Sequence, residues 1–299
     1  MGPPRHLQSL CILMLLAAVH THAQLVWNKN PRNPVLAPAI FNGVSPYGID
    51  GAFDTRYALS PSVIFTNGLY RMWYVGYEEY WTGQFTIGYA ISEDGAVWHT
   101  YTKNPVLDPR GGFELSQVWL SVVLPDSVLT MYYSGYDGVR WRVGAAKSVT
   151  GVNWRRVQAN PILDVGRPGE WDDGNVWGVS VIRMGTGDYR MWYSGNHTDG
   201  PTSIGYATSS DGILWVKHPA NPVIVPGPRG SWESWWVYVP RVVFADGVFH
   251  MFYLGATSSG NTQIGYAFSP DGVSWTKHAR NPVLTTGEAR SWEIGRAHV

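Results

Sequence analysis

Beyond residue 23 this chain has no cysteine: the single one among 299 residues, Cys11, lies inside the N-terminal apolar run Leu10 to Val19. Disulfides and thiolate metal sites are therefore excluded, and a well-packed core has to supply the stability. Charge is also scarce. Asp, Glu, Lys and Arg make up 15% of the residues and the formal net charge is zero. This balance offers no electrostatic grip on nucleic acid or on an anionic membrane. The one apolar run is too short to cross a bilayer. Helical periodicity is missing from the rest of the chain, as are the Gly-x-Ser-x-Gly, P-loop and His-Glu-x-x-His patterns. The nine histidines are scattered without metal-ligand spacing. No metal and no cofactor are expected.

What the chain has is aromatic residues and repetition, with 16 Trp and 17 Tyr. Five times a tryptophan is followed six residues later by Asn-Pro and two aliphatic residues, as in Trp27 with Asn33-Pro34-Val35-Leu36 and Trp98 with Asn104-Pro105-Val106-Leu107. The other copies start at Trp154, Trp215 and Trp275. In step with them run Tyr70-Arg71-Met72-Trp73-Tyr74 and Ile87-Gly88-Tyr89-Ala90, each returning three more times. The central methionines, Met72, Met131, Met191 and Met251, are 59, 60 and 60 positions apart. Each unit reads as four short strands. Asn67-Gly68, Asp246-Gly247 or a Gly-containing variant makes the first turn, and a Ser-x-Asp-Gly turn leads into a Trp-bearing fourth strand that proline ends. A four-stranded unit at this period is a propeller blade. Trp27 marks a fourth strand with no strands before it, so the expected fold is all-β, a five-bladed β-propeller closed by its N-terminal strand. Ser291-Trp292-Glu293 opens a further unit that stops at Val299, which predicts a truncated last blade lacking its inner strands.

The N-terminus reads as a signal peptide over residues 1–23. Arg5 and His6 precede the apolar run, and Thr21-His22-Ala23 offers a cleavage site. A secreted or periplasmic protein is expected, free of the membrane once the leader is removed. Residues 24–293 form one propeller domain, monomeric when complete, and residues 294–299 depart from the repeat as a non-native tail. Asn196-His197-Thr198 is a glycosylation sequon.

Acids recur at one place in each unit. Asp54, Glu114, Asp172, Glu233 and Glu293 each follow an aromatic residue just before a first strand. Two converging carboxylates are the minimum equipment for glycoside hydrolysis, although a residue present in every blade is more simply a capping or turn residue of the repeat. Departures from the repeat point more sharply to function. The first unit has a long lead-in carrying Tyr47, Asp50 and Arg56, and the longest loop between second and third strands, Tyr77-Glu78-Glu79-Tyr80-Trp81. Unit three adds His197 and Asp199 in the equivalent loop, with Asp173 and Asn175 in its lead-in. The catalytic candidates are Asp50, Asp54, Asp172, Asp173 and Glu233. The substrate-binding candidates are Arg56, Tyr57, Trp81, Trp119, Trp177, Trp235 and His197, aromatic platforms and polar groups suited to a sugar.

These motifs resemble the arabinanase/levansucrase/invertase superfamily of five-bladed propellers, which includes glycoside hydrolase families 32, 43 and 130. The resemblance runs from Trp27 to Glu293. It implies an exported carbohydrate-active protein acting on a neutral oligo- or polysaccharide in the central cleft, a glycosidase working through paired carboxylates. The catalytic acids of family 43 would fall at Ser60 and Ser62, at Ser121 or Val122, and within Gly178 to Ser180, none of them acidic. The alternative is a non-catalytic glycan-binding propeller; a purely structural scaffold is the third reading.

Overall fold

A computed structural model describes residues 35–36, 53–54, 57–77, 84–198 and 200–285. Among them there are sixteen strands in four antiparallel sheets and no helix. Blade one is β1 (Tyr57–Thr66), β2 (Leu69–Tyr77), β3 (Phe85–Ser92) and β4 (His99–Thr100). Blade two is β5 (Gln117–Leu124), β6 (Leu129–Tyr136), β7 (Trp141–Ser148) and β8 (Arg155–Arg156). Blade three is β9 (Asn175–Gly185), β10 (Asp188–Asn196), β11 (Ser203–Ser209) and β12 (Val216–Lys217). Blade four is β13 (Trp236–Ala245), β14 (Val248–Ala256), β15 (Thr262–Ser269) and β16 (Thr276–Lys277). Strand order within every sheet follows chain order. The first strands pack in succession, β1 on β5, β5 on β9 and β9 on β13, as in a propeller. Among the described residues β13 makes no contact with β1. Four sheets are found where five were expected. Residues 24–34 and 286–299, which bear on the fifth, lie outside the described residues.

The first turns form as their sequence requires. Asn67 and Gly68 have φ of 52° and 77°, and Asp246 and Gly247 the same, the paired positive values of a two-residue hairpin turn. The fourth strands differ from expectation. They pair over only two residues, and the repeat tryptophan lies in the turn before them. There Ser209 Oγ accepts the Gly212 N–H at 2.9 Å, and Asp211 Oδ1 accepts the Ile213 and Leu214 N–H groups, both at 2.8 Å. Trp215 Nε1–H then donates to the Gly212 carbonyl at 3.2 Å. This turn satisfies its own backbone and leaves little chain to pair before Asn-Pro.

The asparagine side chain fills the gap. Asn221 Oδ1 accepts the Tyr206 N–H at 2.8 Å, and Asn221 Nδ2 donates to the Tyr206 carbonyl at 3.0 Å. One side-chain amide thus stands in for a strand residue beside a proline that cannot donate. Pairing resumes beyond it, where Ile224 bridges Ile204.

The core lies between blades. One buried cluster joins Trp73, Val75 and Ile87 of blade one to Val118, Val123 and Met131 of blade two, and equivalent clusters join blades two and three and blades three and four. Polar ties cross the same interfaces. Trp73 Nε1, Tyr132 Oη and Trp192 Nε1 donate to the carbonyls of Gly151, Gly212 and Gly272 in the following blade, at 2.7, 3.0 and 2.8 Å. Leu36, the last residue of the Trp27 copy of the motif, packs with Met72, Tyr74 and Ala90 on the other face of blade one.

Candidate functional site

The lead-in segments and the loops between second and third strands share one end of every sheet. In blade one Tyr57 pairs with Tyr77, and Tyr77 with Phe85. The recurrent acids sit at this end, beneath the lead-in. In blade three, Asp172 Oδ2 accepts the Tyr193 hydroxyl at 3.0 Å and Lys217 Nζ at 2.7 Å, and Asn221 Nδ2 donates to the Tyr193 oxygen at 3.1 Å. Asp172 is buried, and burial followed by the Asp172 charge pushes the Tyr193 phenol far above its ordinary value, so it stays a donor. Blade four repeats the set with Lys277 Nζ 2.7 Å from Glu233 Oε1 and Asn281 on Tyr253. Blade two does so with Arg156 on Glu114 and Asn160 on Tyr133. In blade one Tyr74 donates to Asp54 Oδ2 at 3.0 Å, but the cation position holds Thr100, paired with Ala90 as Lys217 is with Ala207. Burial raises the Asp54 carboxyl above its usual range despite that hydrogen bond.

Two glycines make room for this arrangement. A methyl group at Gly195 would lie 2.8 Å from Asp172 Cβ and from the Trp171 ring, and one at Gly205 would lie 2.5 Å from Tyr193 Cζ. Asp54, Asp172 and Glu233 are thus each bonded within their own blade. The inner-strand positions that resemblance to family 43 would make acidic are inter-blade ties instead. Ser60 Oγ accepts Trp119 Nε1–H at 2.9 Å, Ser62 Oγ accepts the Val123 N–H at 3.0 Å, and Ser180 Oγ accepts the Val242 N–H at 2.9 Å.

A different cluster forms at the same end of blades two and three. His197 Nδ1–H donates to Asp173 Oδ1, which leaves Nε2 facing outward on a largely exposed ring. The other carboxylate oxygen of Asp173 accepts the Gly169 N–H at 2.7 Å. That backbone bond, with the His197 partner and the nearby Arg140 charge, holds the Asp173 carboxyl below its ordinary value. Asn175 Nδ2 donates to Asn196 Oδ1 at 3.1 Å, while Asn175 Oδ1 accepts the Trp141 N–H of blade two at 3.0 Å. Trp141 and Tyr136, both half-buried, stack with centroids 5.0 Å apart at 27°. A second aromatic series crosses from blade one to blade two: Tyr57 to Tyr77 at 5.7 Å, Tyr77 to Phe85 at 4.6 Å, and Phe85 to Trp119 at 4.8 Å.

Of the residues singled out from sequence, the structure brings together Asp173 and His197, with Asn175 beside them. Tyr57 and Trp119 lie at the two ends of the aromatic series. Trp177 is half-buried opposite Ser194 in its own sheet, and Trp235 is exposed at the junction of blades three and four, its carbonyl accepting the Thr202 N–H at 3.2 Å. Asp50, Arg56 and Trp81 lie outside the described residues, as does Asp199. Sequence reading passed over Tyr136, Arg140 and Trp141. The signal for Trp141 is its place two residues before the Val143-Gly144-Ala145-Ala146 strand core, where blades three and four have Thr202 and Thr262.

Comparison with known proteins supports a carbohydrate-active class. A family model for glycoside hydrolase family 130, described as β-1,4-mannooligosaccharide phosphorylase, matches residues 182–286. An uncharacterized protein of Mycobacterium tuberculosis (strain CDC 1551 / Oshkosh) is 29% identical over 248 residues, covering 79% of this chain and 76% of that one. A β-1,2-mannobiose phosphorylase of Thermoanaerobacter sp. (strain X514) is 27% identical over 137 residues, 41% of this chain and 44% of that one. Among solved structures, a glycoside hydrolase assigned from Parabacteroides distasonis superposes with a TM-score of 0.68 at 16% identity, covering 91% of this chain and 88% of that one. A structure from the family 130 mannoside phosphorylases, which include glycoside hydrolases that target β-1,2 mannosidic linkages in Candida mannan, gives 0.66 at 16%, covering 87% and 81%. At such identities the structural likeness establishes the fold alone. The resemblance to the glycoside-hydrolase-like propeller superfamily thus holds in sequence motif and in fold.

Proposed function

We propose that this protein is an exported carbohydrate-active propeller that binds a β-linked manno-oligosaccharide across the lead-in end of blades two and three, toward the central cleft, and cleaves it by hydrolysis or phosphorolysis. The observation that carries the reading is the His197–Asp173 pair beside the Tyr136–Trp141 stack. Aromatic faces stack on the C–H face of a sugar while their edges meet water. The amides of Asn175 and Asn196 present donors and acceptors suited to hydroxyl groups. A carboxylate-oriented imidazole with an outward Nε2 can donate or take a proton at the scissile oxygen or at the attacking group. The partial family match and the mannobiose phosphorylase relative support the sugar class and leave both cleavage modes open. A zero net charge favours a neutral saccharide over a polyanion. The same reading takes residues 1–23 as a cleaved leader and places a fifth sheet between blades four and one. Leu36 supports that sheet, since it packs on blade one as Leu107 packs toward blade two.

A second reading, a glycan-binding propeller without turnover, is favoured by the serines at the inner-strand positions and by the intra-blade partners of Asp172 and Glu233. One experiment separates the two. β-Manno-oligosaccharides are titrated by tryptophan fluorescence and assayed for cleavage with and without inorganic phosphate. Trp141→Ala is expected to weaken binding about two- to tenfold, the worth of an aromatic contact. His197→Ala is expected to retain binding and lose turnover. Binding without turnover in the parent moves the function to the second reading; neither binding nor turnover rejects both.

A further inference from the structure

We propose that Arg142 is a positioning residue: its guanidinium locks the turn between β6 and β7 and so fixes the Tyr136–Trp141 stack at the end of blades two and three. The turn, Asp137-Gly138-Val139-Arg140, is not held by packing. Gly138, Val139 and Arg140 are exposed, Val139 at 75%. Hydrogen bonds give it shape instead. Asp137 Oδ1 accepts the Val139 and Arg140 N–H groups, both at 2.8 Å, and Tyr136 Oη donates to the Gly138 carbonyl at 2.9 Å. All of these lie within the turn and its first flanking residue.

Arg142 ties that unit to the blade. Its Nη1 donates to Asp137 Oδ2 at 2.5 Å and its Nε to Asp164 Oδ1 at 2.8 Å. Asp164 is anchored in turn: the same oxygen accepts the Val165 N–H at 2.8 Å, and Leu163 before it bridges Val143 of β7. The inner pair is shielded, with Arg142 and Asp137 side chains 20% and 24% exposed, so salt screens it less than a surface pair. Against burial, the Arg140 N–H and the Arg142 guanidinium hold the Asp137 carboxyl below its ordinary value, and the pair stays ionised at neutral pH. Trp141 and Arg142 are neighbours on β7, opposite Tyr136 and Gly135 of β6. Successive side chains leave opposite faces of a strand, so the ring lies on one face and the lock on the other. Asn175 of blade three takes the Trp141 N–H at 3.0 Å and holds the same main chain from the next blade.

The other three described blades lack this combination. Where blade two has Trp141-Arg142, they have Phe85-Thr86, Thr202-Ser203 and Thr262-Gln263. Where it has Asp137, they have Glu78, His197 and Thr257. Three sheets form their ladders without an arginine at this place, so the ladder does not require it. The lock occurs beside the stacked pair, and holding that pair is what it does.

Amide hydrogen exchange of the full-length chain tests the lock without any sugar. In Arg142→Met, which keeps an aliphatic stem, exchange over residues 137–141 is expected to quicken about tenfold, while β10 and β14 keep their rates and the melting temperature falls by no more than about 2 °C. Asp137→Asn leaves the turn's acceptor in place and removes the charge that Arg142 grips, so it should give the same local change. The double variant should be no worse than either single one, because both break one contact. Arg142→Lys, without the fork, falls between variant and parent. The consequence for ligand rests on the saccharide reading: β-manno-oligosaccharide binding weakens about two- to tenfold in Arg142→Met, the cost of ordering a freed side chain, and KM rises more than kcat falls. Unchanged exchange in the turn, or additive effects in the double variant, overturns the proposal. So does faster exchange throughout blade two with a melting temperature several degrees lower, which makes Arg142 a residue of the fold. Quickened exchange with unchanged affinity, in a parent that binds saccharide, overturns the positioning role. Quickened exchange confined to the turn of a parent that binds no saccharide supports the lock and rejects the saccharide reading.

Discussion

Asp54 and Asp172 occupy the same place in their blades and differ in one partner. Lys217 neutralises Asp172, whereas Thr100 stands where a lysine would reach Asp54. Charge on Asp54 is therefore a cost at neutral pH. A carboxyl with a raised folded pKa destabilises above that value, and the penalty is relieved as pH falls through it toward the ordinary value near 3.8. Asp54→Asn keeps an acceptor for Tyr74 and removes the charge. It is expected to match or exceed the parent's melting temperature at pH 7, with the difference vanishing near pH 4. Thr100→Lys is expected to raise the melting temperature by supplying the missing ammonium. Asp172→Asn should do the opposite and cost up to about 3 kcal/mol in urea unfolding, because Lys217 is left largely buried without its anion. The position of these acids was legible in the sequence as a five-fold repeat, and so was the simpler structural reading of them. Their partners were not, because Lys217 and Lys277 lie 45 and 44 residues from the acids they meet, and only the pairing of third and fourth strands brings them there.

At the scale of the element, spacing in the sequence located all four hairpins and the order of strands. It misjudged the fourth strand, because nothing in the residue pattern announces that an asparagine side chain will substitute for backbone pairing. It was also silent on the bulges of the first strands, where Ser60 and Val239 adopt φ of 47° and 49° without glycine. The glycines of the second and third strands have a sharper reading in the structure. Gly195 and Gly205 are the floor on which Trp171 and Asp172 lie. Gly205→Ala is expected to cost about 1–3 kcal/mol by overpacking against the Tyr193 and Trp171 rings. Gly185→Ala, with ordinary backbone and no atom within 4 Å of the new methyl, should be near neutral. Equal effects at the two sites, measured by urea unfolding, would dismiss the packing explanation.

For the whole molecule, stability resides in the interfaces between blades, so each sheet is as secure as its neighbours allow. Blades two and three are covered on both faces by described sheets; blades one and four are covered by a described sheet on one face. Amide hydrogen exchange should therefore be slowest in β6 and β10 and faster in β14, with uniform protection across the four sheets counting against this ranking. The three aromatic ties to glycine carbonyls across these interfaces point the same way along the chain, from Trp73 to Gly151, Tyr132 to Gly212 and Trp192 to Gly272, over 78, 80 and 80 residues. On a ribosome this direction becomes a delay. Each aromatic side chain emerges before the carbonyl it will bind has been made, and at roughly 5–20 residues per second the wait is on the order of 4–16 seconds. During synthesis every new blade presents a bare aromatic face until its successor arrives, so translation speed over one blade sets how long the previous one is exposed to chaperones or to aggregation.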